Sequence, residues 1–244
     1  MYRKAYCIGS SRKYVAIITT IVLAIIMFVF LTASVSVNAI GSNVSIFPPG
    51  SKPYGLTYGQ WSVKWFQWAF SIPKDKNPII DDSGKNCAIN QNDLYAWFLA
   101  GSGGGKVERV CTIPAGKAIF FPIMDTEASY AEFPDDKTEA DLRNTAHADQ
   151  DTVSHLTLTV DGVNFQNLNS FRADSPLFNF TTPQNGMWDL HSAKSQAVAD
   201  GYYVMLKPLP VGNHEIHWSG VLGSITSTSA QIQPEDVTYH LKVQ

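Results

Sequence analysis

The chain is short of charge and short of cysteine. Only 16 % of its 244 residues are Asp, Glu, Lys or Arg, and no acid precedes Asp75. After Lys13 the bases are scattered singly, so no patch exists to neutralise a run of phosphates, and nucleic acid is set aside as a partner. Three cysteines without Cys-x-x-Cys spacing argue against a zinc ribbon or a dithiol redox centre. A nucleophile elbow and a cofactor loop are also missing. Two short segments come near to motifs and fail. The stretch after Ala100, Gly-Ser-Gly-Gly-Gly-Lys, lacks the Ser or Thr that would hold magnesium, because Val107 stands there. Asp81 and Asp82 lack the alternating oxygen ligands and closing glutamate of a calcium loop. Composition therefore implies no cofactor.

What is present begins with an address. Arg3, Lys4, Arg12 and Lys13 precede an apolar run over residues 15–31, followed by the small-residue pattern Val37-Asn38-Ala39. This is the layout of a signal peptide over residues 1–39. With residues 32–37 added, the run is also long enough to span a bilayer, so an uncleaved N-terminal membrane anchor stays open. Both readings put residues 40–244 outside, either secreted or held at the outer face of the cytoplasmic membrane, with residues 15–37 as the only membrane contact. Without the four leading bases, fourteen remain against twenty-one acids, a net charge of −7.

Export decides how the cysteines are read. Cys7 stays on the cytoplasmic side, leaving Cys87 and Cys111 as a pair in an oxidising compartment, where a disulfide is expected. Residues 40–56, with Pro48, Pro49, Gly50, Pro53 and Gly55, read as a Pro/Gly-rich spacer. Residues 57–244 read as one domain.

A long aromatic helix is expected over residues 57–72. Thr57 and Gln60 have capping-box spacing, Gln60, Lys64, Gln67 and Ser71 keep one polar stripe, and Pro73 ends it. Trp61, Trp65 and Trp68 either pack on a sheet or form a stacking platform for a ligand. Apolar, β-branched and aromatic runs at residues 94–100 and 117–123 read as strands, joined through a glycine-rich hairpin tip at residues 101–105. Between Asp125 and Asp151 acids dominate, with a short helix expected near residues 136–147. Such an insertion is either a solvated face or a source of paired carboxylates, Asp125 and Glu127 first among them. Strands follow at residues 154–160, 177–180, 202–206, 213–219 and 236–243, with Asp161-Gly162 as a hairpin turn. The fold class is mainly β, an antiparallel sandwich of jelly-roll or immunoglobulin-like type.

Strand alternation places His155, His217, His240 and Glu215 on polar faces. If their strands are neighbours, the four converge as a candidate metal site; Lys242 on the same face argues against it.

Several longer strings then stand out: SIP at residues 71–73, WFLAG at 97–101, RVCTIPAGK at 109–117, FFPI at 120–123, VDG at 160–162, GYY at 201–203, LKPLPVG at 206–212 and DVTYHL at 236–241. With Cys87, Phe171-Arg172 and Ser175-Pro176, they resemble a family of secreted single-domain proteins of bacteria and archaea with no activity attached to it. The resemblance covers nearly the whole exported part. It implies export and a single domain, and it brings no catalytic residue.

The function expected from sequence is a non-catalytic surface or secreted binding or structural module, its partner open. Two alternatives remain: a metal- or carboxylate-dependent hydrolase of cell-surface polymer, and a membrane-tethered accessory subunit. Asn43 and Asn179 stand in glycosylation sequons, which need a glycosylating host.

Overall fold

A computed structural model describes residues 44–223 and 232–244. The segment expected as signal or anchor, Cys7 and the Asn43 sequon lie outside the described residues. Among those described, no helix is long and apolar enough to cross a membrane.

Among the described residues the protein is mainly β, with two sheets and two α-helices. The strands are β1 (Ala96–Phe98), β2 (Gly105–Ile113), β3 (Ala118–Ser129), β4 (Ser154–Val160), β5 (Val163–Asn164), β6 (Arg172–Asp174), β7 (Phe178–Thr181), β8 (Lys194–Leu206), β9 (Gly212–Gly223) and β10 (Ile232–Val243). The first sheet runs β1-β3-β8-β6, with β7 also on β8; the second runs β2-β10-β9-β4-β5. In the second sheet the alternation is plain. Ile216, Trp218, Val237, Tyr239, Leu241, Cys111 and Ile113 are buried, while their strand neighbours face outward. Phe121 of β3 stacks on Trp218 of β9 at 4.6 Å between ring centroids, and Trp218 stacks on Tyr239.

The pairing is not purely antiparallel, as the sequence had suggested. β1 runs parallel to β3 and β2 parallel to β10. The cause lies in residues 101–104, which are a crossover between the sheets and not a hairpin tip. The chain leaves β1 in the first sheet, forms β2 in the second, turns at Pro114–Gly116, and returns to lay β3 beside β1 in the same direction. Cys87 and Cys111 are joined as a disulfide.

Helix α1 (Tyr58–Phe70) has the expected capping box, with Thr57 and Gln60 each accepting from the other's backbone N–H. It packs against β8, β7 and β3. Trp61 and Trp65 are at most 2 % exposed, and each indole N–H donates to a carbonyl, of Pro53 and Leu99 respectively; the Trp68 N–H donates to Ile89. These rings therefore serve the core, with their N–H groups satisfied, and Trp65 also reaches the wall of a cleft. Helix α2 (Glu139–Gln150) buries Leu142 and Ala146 against Ala128 and Val198.

The expected spacer is also corrected. Residues 44–56 belong to the domain: Ile46 bridges to Leu206, Phe47 N–H donates to the Met205 carbonyl, and the Tyr58 hydroxyl donates to the Phe47 carbonyl. The Asp161-Gly162 turn is as expected, with both residues at positive φ and Val160 paired to Val163.

Candidate functional site

β3 is longer than the run of apolar residues that announces it. β1 pairs only with Ala118–Phe120, so the polar half of β3 has β8 on one side and no described strand on the other. A β-bulge between Pro122 and Met124 shifts the register of that half. Asp125 and Glu127 consequently line a cleft of about 440 Å³ with Trp65 and Phe66 of α1, Met187 and Trp188, Gly101–Gly103, Glu132 and Glu235. Among the described residues, no Lys, Arg or His lines it.

One oxygen of each carboxyl is enclosed, while both residues keep part of their surface exposed. Asp125 Oδ2 and Glu127 Oε1 have no exposed surface and, among the described residues, no hydrogen-bond partner. Burial pushes the Asp125 carboxyl well above its ordinary range, and the charge of Glu235 adds to it. Burial likewise raises Glu127, reinforced by a shared hydrogen bond and like charge from Glu132. Glu235 is pushed up by burial to about 7, although it accepts from Ser102 N–H and Trp218 Nε1. Two glycines make this crowding possible. A side chain at Gly201 would meet the Asp125 side chain and backbone, and one at Gly101 would meet the Glu235 carboxylate.

The rim is held by Arg109, which is fully buried. Its guanidinium donates to the carbonyls of Ile79, Asp81, Ala100 and Gly101 and to the Tyr239 hydroxyl. At the mouth stands Trp188, in the left-handed region at φ 50° and 45 % exposed, edge-on to Phe70.

Of the sequence candidates, the fold brings Asp125, Glu127 and Trp65 to this cleft, with Trp65 as its floor. Trp61 and Trp68 are elsewhere in the core. The histidine set does not converge. A register shift between Ser154 and Thr157 puts His155 at φ 56°, and its ring meets the Ser154 hydroxyl at 3.0 Å. His217 is 3.1 Å from Asp236, and His240 is 2.6 Å from Glu108 and 3.5 Å from Glu215. His217 and His240 thus pair with different carboxylates and His155 with a hydroxyl, while β4 offers Thr157 to Ser219.

Sequence reasoning did not pick out Glu132, Glu235 or Trp188, which are distant in the chain and carry no motif. It also passed over His147, which groups with Asp174 and Asp200 in metal-ligand proximity. That group is an ion-pair network: Arg172 grips Asp200 with contacts of 2.5–3.1 Å and also Asp151 at 2.7 Å, supplying the positive charge a metal would bring. Comparison of the chain with protein-family models, curated proteins and solved structures gives no match.

Proposed function

We propose that this chain is an exported β-sandwich binding module, its two sheets packed face to face, whose ligand sits in the acidic cleft beside β3. Export is supported by the basic and apolar leader, by the disulfide, and by the resemblance to a secreted family. The observation that carries the binding reading is the pair of enclosed oxygens, Asp125 Oδ2 and Glu127 Oε1, left without a donor in a cleft with aromatic walls. Buried polar atoms are nearly always satisfied, and an orphaned pair in a cavity points to an occupant.

Trp188 provides the test. It is 45 % exposed, whereas the other five tryptophans are at most 7 %. Acrylamide quenching therefore reads the cleft mouth. Organic cations, divalent cations and oligosaccharides are titrated in turn; at least one class protects Trp188, and Asp125→Asn removes the protection. Protection by none of them would defeat the reading.

A carboxylate hydrolase is the second reading. It is favoured by the nearness of Glu132 to Glu127, which with burial holds the Glu127 carboxyl above its ordinary range, as suits a general acid. Release of reducing ends from cell-wall polysaccharide, abolished by Glu127→Gln, would put it first.

A further inference from the structure

We propose that the cleft binds an organic ammonium group, its nitrogen taken by the Asp125 and Glu127 carboxylates and its carbon substituents packed against Trp65, Phe66 and Trp188. The inference rests on the binding reading above and names the class of ligand.

Four features of the cleft select this chemistry. First, its charged lining is of one sign, Asp125, Glu127, Glu132 and Glu235, with no base among the lining residues, so an anion is repelled. Second, the Asp125 and Glu127 carboxyls each keep an oxygen with no donor among the described residues, and once ionised they are acceptors only, which calls for a donor that carries positive charge. Third, the remaining wall is aromatic and apolar, as suits the carbon skeleton of an amine and attracts its charge through the ring faces. Fourth, a bare divalent ion is poorly served. It needs several oxygens in one coordination shell, and among the described residues these carboxylates do not group closely enough to provide one. The volume, about 440 Å³, falls within the roughly 300–1,000 Å³ of small-ligand pockets.

Binding is coupled to proton release. The groups facing Asp125 are Glu235 from β10, Tyr203 from β8 and Glu127 on its own strand; those facing Glu127 are Glu132 and Asp125. Helix α1 and the Gly101–Gly103 and Met187–Trp188 segments add no charge to the lining. Arg109 is the nearest base to Glu235, and its guanidinium is occupied by carbonyls and Tyr239. The free carboxyls hold protons above the ordinary carboxylate range, and an incoming cation displaces them. Affinity therefore rises with pH, about tenfold per unit for each proton released, until the free carboxyls ionise unaided.

The experiment uses the exported protein with n-butylammonium, butyltrimethylammonium, calcium, n-pentanol and a cello-oligosaccharide. Titration calorimetry in two buffers of different ionisation enthalpy counts protons, and Trp188 quenching locates the ligand. The expected result is saturable binding of at least one ammonium, tighter at pH 7 than at pH 5.5, with protons released and Trp188 protected. Asp125→Asn, an isosteric change, weakens it at least about tenfold while the thermal transition stays cooperative; Trp188→Ala, at the half-exposed mouth, weakens it independently. If calcium, pentanol or the oligosaccharide binds and depends on Asp125 while neither ammonium does, the cleft is a binding site and the ammonium assignment is wrong. If no probe binds, the assignment and the binding reading fall together.

Discussion

The sharpest consequence of the buried acids is a stability that falls as pH rises, and Glu235→Gln isolates it. Glu235 titrates near 4.5 when unfolded and about 7 in the fold. Below pH 4.5 both states are protonated and the group contributes nothing. Between 4.5 and about 7 the unfolded chain releases a proton that the native state retains, so stability declines; above 7 the full penalty stands. At about 1.4 kcal/mol per unit, the shift corresponds to about 3 kcal/mol at pH 8. Glutamine keeps an oxygen to accept from Ser102 N–H and Trp218 Nε1, so the substitution removes the charge and little else. Urea unfolding of wild type and Glu235→Gln at pH 4, 6 and 8 reads the difference directly. The two should nearly coincide at pH 4, and the variant should gain by about 3 kcal/mol at pH 8. A difference independent of pH would refute the claim that desolvated carboxylates strain this cleft.

Three further outcomes are expected. Trp65→Ala, which opens a cavity under the cleft and orphans the Leu99 carbonyl, should destabilise by roughly 3–5 kcal/mol in denaturant melts; a fully stable variant that had lost only a ligand would restore the platform reading. Cys111→Ser should lower stability by about 3 kcal/mol, and non-reducing peptide mapping of the wild type should recover the Cys87 and Cys111 peptides linked. Gly201→Ala, whose new methyl meets the Asp125 side chain and the Met124 carbonyl, should cost roughly 1–3 kcal/mol by thermal denaturation, far above the effect of Gly103→Ala, which meets nothing.

Much of the fold was legible from local signals. Capping-box spacing marked the start of α1, Asp-Gly marked the β4–β5 turn, and alternation marked the buried face of β9 and β10. What was not legible was pairing. Nothing local to residues 101–104 says that the next strand joins a different sheet, and the parallel β1–β3 pair follows from that step, while β2 gains its parallel partner only when β10 arrives beside it. The metal candidates failed for a similar reason: alternation on paper assumes a regular strand, and the irregularity at His155 breaks it. The acidic segment was read mostly as a solvated face. Its first part, Asp125 to Glu132, turned inward because β3 continues past its apolar residues and the bulge at Ile123 resets which side chains meet α1.

Arg109 ties these parts together. It lies on an inward position of β2 between Val107 and Cys111, where alternation calls for an apolar side chain, and among the described residues it has no carboxylate in salt-bridge contact. A buried charge is tolerated when every donor is met. Here the partners are carbonyls from the turn at Ile79 and Asp81 and from Ala100 and Gly101, where the chain crosses between sheets. The guanidinium therefore fixes the irregular backbone that no strand ladder holds. That same backbone carries Gly101 and Ser102 against Glu235, and Ile79 and Ile80 along the cleft wall. The disulfide, two residues along β2 at Cys111, pins the other end of the segment that begins at Ile79. One buried cation on a regular strand thus holds the rim of a cavity whose charged lining is acidic without entering it, which leaves positive charge inside to be supplied by the ammonium group proposed above.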